Sequence, residues 1–381
     1  MSTLGVIASL ALILLILIDG FETILQPRRV THRYRFARLF YRTTWRFWRA
    51  AGLLIRFGKR REAFLSVFGP LSLVGLFAAW AVGLIFGFAL LHFSLGSMIR
   101  APEAHPTFGT YMYLSGTTFF TLGFGDITPL GPVGRTLAVI ESGLGFCFLA
   151  VMISYLPVLS QAFSRREVTI SLLDARAGSP PTATQCLIRL ARGGNLNAAE
   201  PLLIEWERWA AELLESHLSF PVLSFYRSQH DNQSWLAALT CILDTCAILL
   251  AEVKSSHSYQ AQLTFAMARH AAVDLALVLK ARPSPSYPDR LPEGQRQRIE
   301  QALRQAGLTL HEGSQVDAKL TELRAMYEPF LHALAQRFLF KLPPMISNKI
   351  TVDNWQTSAW MRQTPGIESL PGLNEKDGHF D

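Results

Sequence analysis

Three long apolar runs decide what environment this chain can fold in. Leu4 to Ile18 has no charged residue, and its pattern extends through Phe21, Ile24 and Leu25; Phe64 to Leu95 has none; Gly134 to Gln161 has one acid, Glu141. At about 1.5 Å rise per residue, such helices cross a hydrocarbon layer about 30 Å thick. Three crossings and an all-α membrane protein are expected. A cleaved signal peptide is the alternative for the first run, but it lacks a basic start and a small-x-small cleavage site. Gly69-Pro70 marks a bend, or the true start, of the second run.

Between the second and third runs, Phe108 to Phe120 is apolar and aromatic but too short to cross. A helix that enters the membrane and turns back fits this length, with Thr107 as its N-cap. The backbone after it would be non-helical at membrane depth, which is tolerated only inside protein or along a water-filled path.

Charge sets the orientation. Twelve Lys or Arg and no acid lie between Pro27 and Arg61, so the rest of a chain of net charge +7 is acidic. Held between two apolar spans, this block suits anionic lipid headgroups (residues 28–61) and gives no reason to expect nucleic acid. With the Arg165-Arg166 pair it marks the cytoplasmic side, which places the N-terminus outside and a long C-terminal part in the cytoplasm. Arg35, Arg38, Arg42, Arg46 and Arg49 recur every three or four residues among aromatics. A voltage sensor and an interfacial helix both use such a pattern. The interfacial reading is preferred, because only one span precedes it to supply acidic partners. Asp19 and Glu22, at the far end of the first run, are expected to pair with nearby arginines.

The stretch Thr121-Leu122-Gly123-Phe124-Gly125-Asp126 follows the re-entrant helix. Glycine enters the left-handed backbone region without steric penalty, so Gly123 and Gly125 allow alternating conformations that aim successive carbonyls at one axis. Such oxygens can replace the water shell of a cation. Thr121 adds a hydroxyl at the inner end, and Leu122 and Phe124 are expected to pack against the re-entrant helix. Asp126 either hydrogen-bonds behind this stretch or attracts cations.

These residues resemble the potassium-channel signature Thr-Val-Gly-Tyr-Gly-Asp. The likeness extends to Thr117-Thr118-Phe119-Phe120 before it and to Pro129 and Gly134-Arg135 after it, covering roughly residues 71–163. It implies a pore domain over 63–163, with K+ bound at Thr121, Leu122, Gly123 and Phe124, and no cofactor. Thr117, Thr118, Asp126 and Glu141 would support the filter. A single signature per chain implies a homotetramer. Leu122 stands where Val or Ile is usual, and Phe124 lacks the usual tyrosine hydroxyl, which bears on filter rigidity.

In the third span, the resemblance places Gly145 at the inner-helix hinge, with Phe146, Leu149 and Ile153 on the face that lines the cavity and closes the gate. Gly143 and Gly145 equally suit close helix packing. Pro157 is expected to break the helix ladder. Glu141 either supports the filter from behind or makes an ordinary contact between helices.

The remainder reads as helical. A linker is expected over 164–185, a helical domain over 186–342 and a poorly ordered tail over 343–381, after an N-terminal helix (1–26) and a basic segment (27–62). Helices are expected at Leu196–Leu218, Trp235–Val253, Gln260–Lys280, Arg296–Gln305 and Ala318–Phe340. Cys147, Cys186, Cys241 and Cys246 lack metal-site spacing and read as reduced packing residues. His270 and Asp274 read as a solvated pair. No Gly-x-Gly-x-x-Gly follows a strand, so a dinucleotide-binding domain is rejected, and no catalytic constellation stands out, so no enzyme is expected. Beside a potassium channel, the competing readings are a weakly selective cation channel and a membrane receptor with a vestigial pore.

Overall fold

The computed structural model describes residues 2–24, 35–103, 105–191, 196–228, 232–283 and 286–347. Its first half forms α1 (Thr3–Ile24), α2 (Phe36–Leu54), α3 (Lys59–Ser66), α4 (Phe68–Leu95), β1 (Ile99–Arg100), α5 (Phe108–Phe119), β2 (Thr128–Pro129) and α6 (Pro132–Ala177). Then come α7 (Ala183–Ala191), α8 (Ala199–Ser219), α9 (Trp235–Ala251), α10 (Ser258–Val278), α11 (Glu293–Gln305), α12 (Ser314–Ala325) and α13 (Glu328–Phe338). Among the described residues, three stretches are long and apolar enough to cross a membrane: Thr3–Ile24, Lys59–Leu95 and Pro132–Ala177. The chain is an all-α membrane protein. It divides into two compact units, Met1–Ile55 with Val67–Gln161, and Arg56–Ser66 with Ala162–Asp381.

In the first unit, α1 lies antiparallel to α4. The Ser2 N–H donates to the Ser94 carbonyl at 3.2 Å, and Ile13 joins Leu84, Ile85 and Phe88 in a shared core. Asp19 explains why α1 tolerates an acid. Its buried carboxylate accepts the Ala37 N–H at 3.0 and 3.2 Å and the Trp80 Nε1–H at 2.9 Å. It therefore satisfies an orphan donor at the start of α2, where the helix dipole also favours negative charge. Of the two acids expected to meet arginines, Glu22 faces Arg35 at 3.5 Å, while Asp19 serves mainly to join α1, α2 and α4. The aromatic face of α2 continues along α4, with Trp45 and Phe68 ring centroids 4.8 Å apart. Arginines 28, 29 and 33 of the expected basic segment lie outside the described residues. The second apolar run breaks near its expected bend: α3 ends at Ser66 and α4 restarts at Phe68 with Pro70 in its first turn.

The second unit is built around α9, every residue of which from Trp235 to Leu249 is buried. An apolar helix with no polar face has to be enclosed, and α7, α10, α12 and α13 enclose it. One buried ionic cluster locks the proline-rich loop after α10. Arg290 binds Asp244 and Glu328, and the Tyr327 hydroxyl donates to Asp244 at 2.7 Å. His270 and Asp274 stand 3.9 Å apart.

Three expectations about this half are corrected. Residues 164–185 are not a linker: α6 runs to Ala177, and Ile170, Leu173, Ala177 and Ala183 are buried in the core. The tail is not loose from its start. Met345 is fully buried and its carbonyl accepts the Thr184 hydroxyl at 2.8 Å; residues 348–381 lie outside the described residues. The expected helix Ala318–Phe340 is two helices, because Pro329 sits in the first turn of α13 and the helix before it stops at Ala325.

Candidate functional site

The site starts where α5 stops. Thr107 opens that helix in a capping box with Thr110, whose hydroxyl accepts the Thr107 N–H at 3.1 Å. At the other end, Leu122 N–H donates to the Thr117 carbonyl at 2.8 Å, and Thr121 N–H to the Thr118 carbonyl at 3.0 Å. These two bonds form a Schellman cap, whose terminal residue must be left-handed. Thr121 fills that place with φ +57°, followed by Gly123 at +60° and Gly125 at +79°. Left-handed residues thus recur at every second position. A β-branched threonine in this region costs roughly 1–2 kcal/mol. Sequence reading missed Thr121 as a left-handed residue because its type argues against it.

Thr117 and Thr118 hold this stretch through their carbonyls, while the Thr117 hydroxyl turns back to the Leu114 carbonyl at 3.0 Å. Asp126 accepts the Ile127 N–H at 3.0 Å and the hydroxyl of Tyr113 on α5. β1 and β2 pair antiparallel, with Ile99 opposite Pro129, and fix the chain just beyond Asp126. Leu122 and Phe124 do not pack against their own α5. They are 55% and 67% exposed in the single chain.

Behind the stretch, α6 meets α5 at two points. Glu141 is completely buried and accepts the Ser115 hydroxyl, which also lies 2.8 Å from the Ile85 carbonyl of α4. The second Glu141 oxygen has no hydrogen-bond partner among the described residues. Three helices therefore meet at Ser115. Farther along, an ideal Cβ on Gly145 would stand 1.9 Å from the Phe119 carbonyl oxygen. At Gly145 the two backbones touch, as the close-packing alternative for that glycine requires.

Beyond Gly145 the helix has two faces. Met152, Tyr155 and Leu159 are buried, whereas Phe146, Leu149 and Ile153 are exposed. Pro157 does not end the helix, which continues for twenty residues past it, to Ala177. Having no N–H, it removes one ladder bond without ending the helix.

The structure places Thr117, Thr118, Thr121–Asp126, Glu141 and Gly145 on or around α5. Sequence reading missed Ser115 and Tyr113. A hydroxyl on the buried side of a short apolar helix was the available signal for Ser115. Chemically, the stretch from Thr121 to Gly125 offers neutral oxygens: carbonyls and one hydroxyl, with no acid. Such donors suit a dehydrated cation better than an anion.

Residues 78–159 match a family model described as an ion channel. Over 187 residues the chain is 27% identical to the uncharacterized membrane protein YdjJ of Bacillus subtilis, covering 48% of this chain and 54% of that protein. It is 32% identical over 85 residues to protein LctB of Geobacillus stearothermophilus, and 31% identical to protein LctB of Bacillus caldotenax. Those two alignments each cover 20% of this chain and 63% of the relative. The chain thus spans between about half and under two thirds of the relatives it matches. No solved structure matches it.

Proposed function

We propose that four copies of this chain form a potassium-selective channel in a bacterial inner or plasma membrane, with Thr121–Gly125 as the filter. The observation that carries the reading is the run of left-handed residues at Thr121, Gly123 and Gly125 directly after a re-entrant helix. That alternation turns successive carbonyls the same way, and a ring of such strands replaces the water around K+. The ion-channel match over residues 78–159 includes this stretch. Fourfold assembly would also cover Leu122 and Phe124, which one chain leaves bare. In this reading Asp126 and Tyr113 brace the outer mouth, and Phe146, Leu149 and Ile153 line the cavity. The exposed arginines 42 and 46 meet anionic lipid. The N-terminus is outside and the second unit is cytoplasmic.

A weakly selective cation channel is the second reading, and Phe124 is the residue that favours it: without a phenolic hydroxyl, the filter lacks one anchor to its surroundings. Both readings predict K+ efflux from proteoliposomes into K+-free buffer once a protonophore balances the charge. They also predict a cross-linked species of four chains. Correctly assembled tetramers that pass no K+ would instead favour the receptor with a vestigial pore.

A further inference from the structure

Arg165 and Arg166 are neighbours with opposite fates. Arg165 is exposed, whereas Arg166 is 4% exposed and completely enclosed in the second unit. Its guanidinium donates to the Leu223 carbonyl at 3.0 Å and to the Tyr226 carbonyl at 3.0 Å, pairs with Glu167 at 2.9 Å, and lies over the Phe163 ring. It also faces His217 Nε2 at 3.3 Å. His217 Nδ1 lies 2.8 Å from the Leu213 carbonyl, so Nδ1 carries the proton and Nε2 offers its lone pair to Arg166. Burial, with Arg166 alongside, pushes His217 down to about 3, which keeps that lone pair available through the neutral range.

Leu223 and Tyr226 belong to one short segment, a 3-10 turn at Pro221–Phe225 and the two residues after it. The next residue, Arg227, reaches elsewhere. It pairs with Glu62 of α3 at 2.8 Å, donates to the Phe338 and Leu339 carbonyls at the end of α13, and covers the Phe340 ring at 4.1 Å. One segment of seven residues, 221–227, therefore holds the continuation of α6 through Arg166, the helix leading into α4 through Glu62, and the end of α13.

We propose that residues 221–227 are a mechanical link, through which rearrangement of the α7–α13 helices moves the ends of α4 and α6 together. Arg166 and Arg227 are its positioning residues. A buried arginine bonded to two carbonyls and a neutral imidazole holds direction as well as distance, and so transmits displacement rather than absorbing it. The link rests on the channel reading only in its consequence, that α6 carries the gate. The joint displacement of α3, α6 and α13 does not depend on conduction.

The test uses the full chain in proteoliposomes and in planar bilayers, comparing wild type with Arg166→Gln, Arg227→Gln, the double variant and the exposed control Arg165→Gln. Arg166→Lys or Arg227→Lys replaces the corresponding glutamine variant if that one fails to assemble. Each buried-site substitution is expected to change open probability at least several-fold with the reversal potential unchanged. The double variant should change it no more than the stronger single one, and Arg165→Gln should have no effect. Hydrogen exchange gives a readout independent of flux: Arg227→Gln should raise exchange in residues 162–177, and Arg166→Gln should raise it in residues 59–66. Wild-type open probability in the folded variants, additive effects, or exchange that rises only beside the substituted residue would overturn the proposal. Cross-talk in exchange without any wild-type conduction would keep the link and remove the channel reading.

Discussion

Replacing Gly145 by alanine should damage this protein, although alanine is the better helix former. The Cβ would stand 1.9 Å from the Phe119 oxygen, 2.8 Å from its carbonyl carbon and 3.1 Å from its Cα, all backbone atoms that no rotamer change can remove. A carbon–oxygen contact needs about 3.3 Å, so α5 and α6 must separate locally by about 1.4 Å. Overpacking of this kind costs about 1–3 kcal/mol, against a helix-propensity gain of up to about 1 kcal/mol. Gly20 in α1 is the reference, since nothing lies within 4 Å of a Cβ there and only the gain applies. Thermal unfolding of the detergent-solubilised protein should therefore place Gly145→Ala below wild type and Gly20→Ala at or above it. A Gly145→Ala protein as stable as wild type would refute the close contact and restore the free hinge.

Ser115→Ala strips Glu141 of its hydrogen-bond partner and should cost about 1–3 kcal/mol in the same unfolding assay; no loss would mean the three-helix junction is not held there. Asp19→Ala leaves the Trp80 indole N–H and the Ala37 N–H unmatched and should cost at least about 2 kcal/mol, with faster proteolysis within α2. Burial raises Glu252 to about 7, from an ordinary value near 4.5. The folded chain therefore keeps a proton that the unfolded chain has released, and stability falls as pH rises from about 4.5 to about 7, by up to about 3 kcal/mol, then levels off. Glu252→Gln should flatten that slope across a pH series of melts, and an unchanged slope would assign it to other groups.

The membrane half was legible in the sequence because bilayers impose coarse rules. Apolar runs give helices long enough to cross a membrane, and the shorter run followed by Gly-x-Gly gives a twelve-residue helix with a bent exit. Features set by partners remote in sequence were not legible. Nothing local distinguishes Arg166, clamped by carbonyls more than fifty residues away, from the exposed Arg165. The stretch 164–177 looks polar enough for a linker, yet Ile170 and Leu173 fall on one helical face, and that face is buried. Thr121 is a case of local rules in conflict: its side chain disfavours the left-handed form, and the cap of α5 imposes it. Leu122 and Phe124 were expected to pack against the re-entrant helix, and in the single chain both are exposed.

The most direct test is the reversal potential of the purified protein in a planar bilayer, with potassium chloride on one side and an equal concentration of sodium chloride on the other. Selection by the Thr121–Gly125 oxygens predicts a large potential, positive on the sodium side, that shrinks toward zero in Gly123→Ala. A wild-type potential near zero would contradict potassium selectivity, however well the tetramer forms.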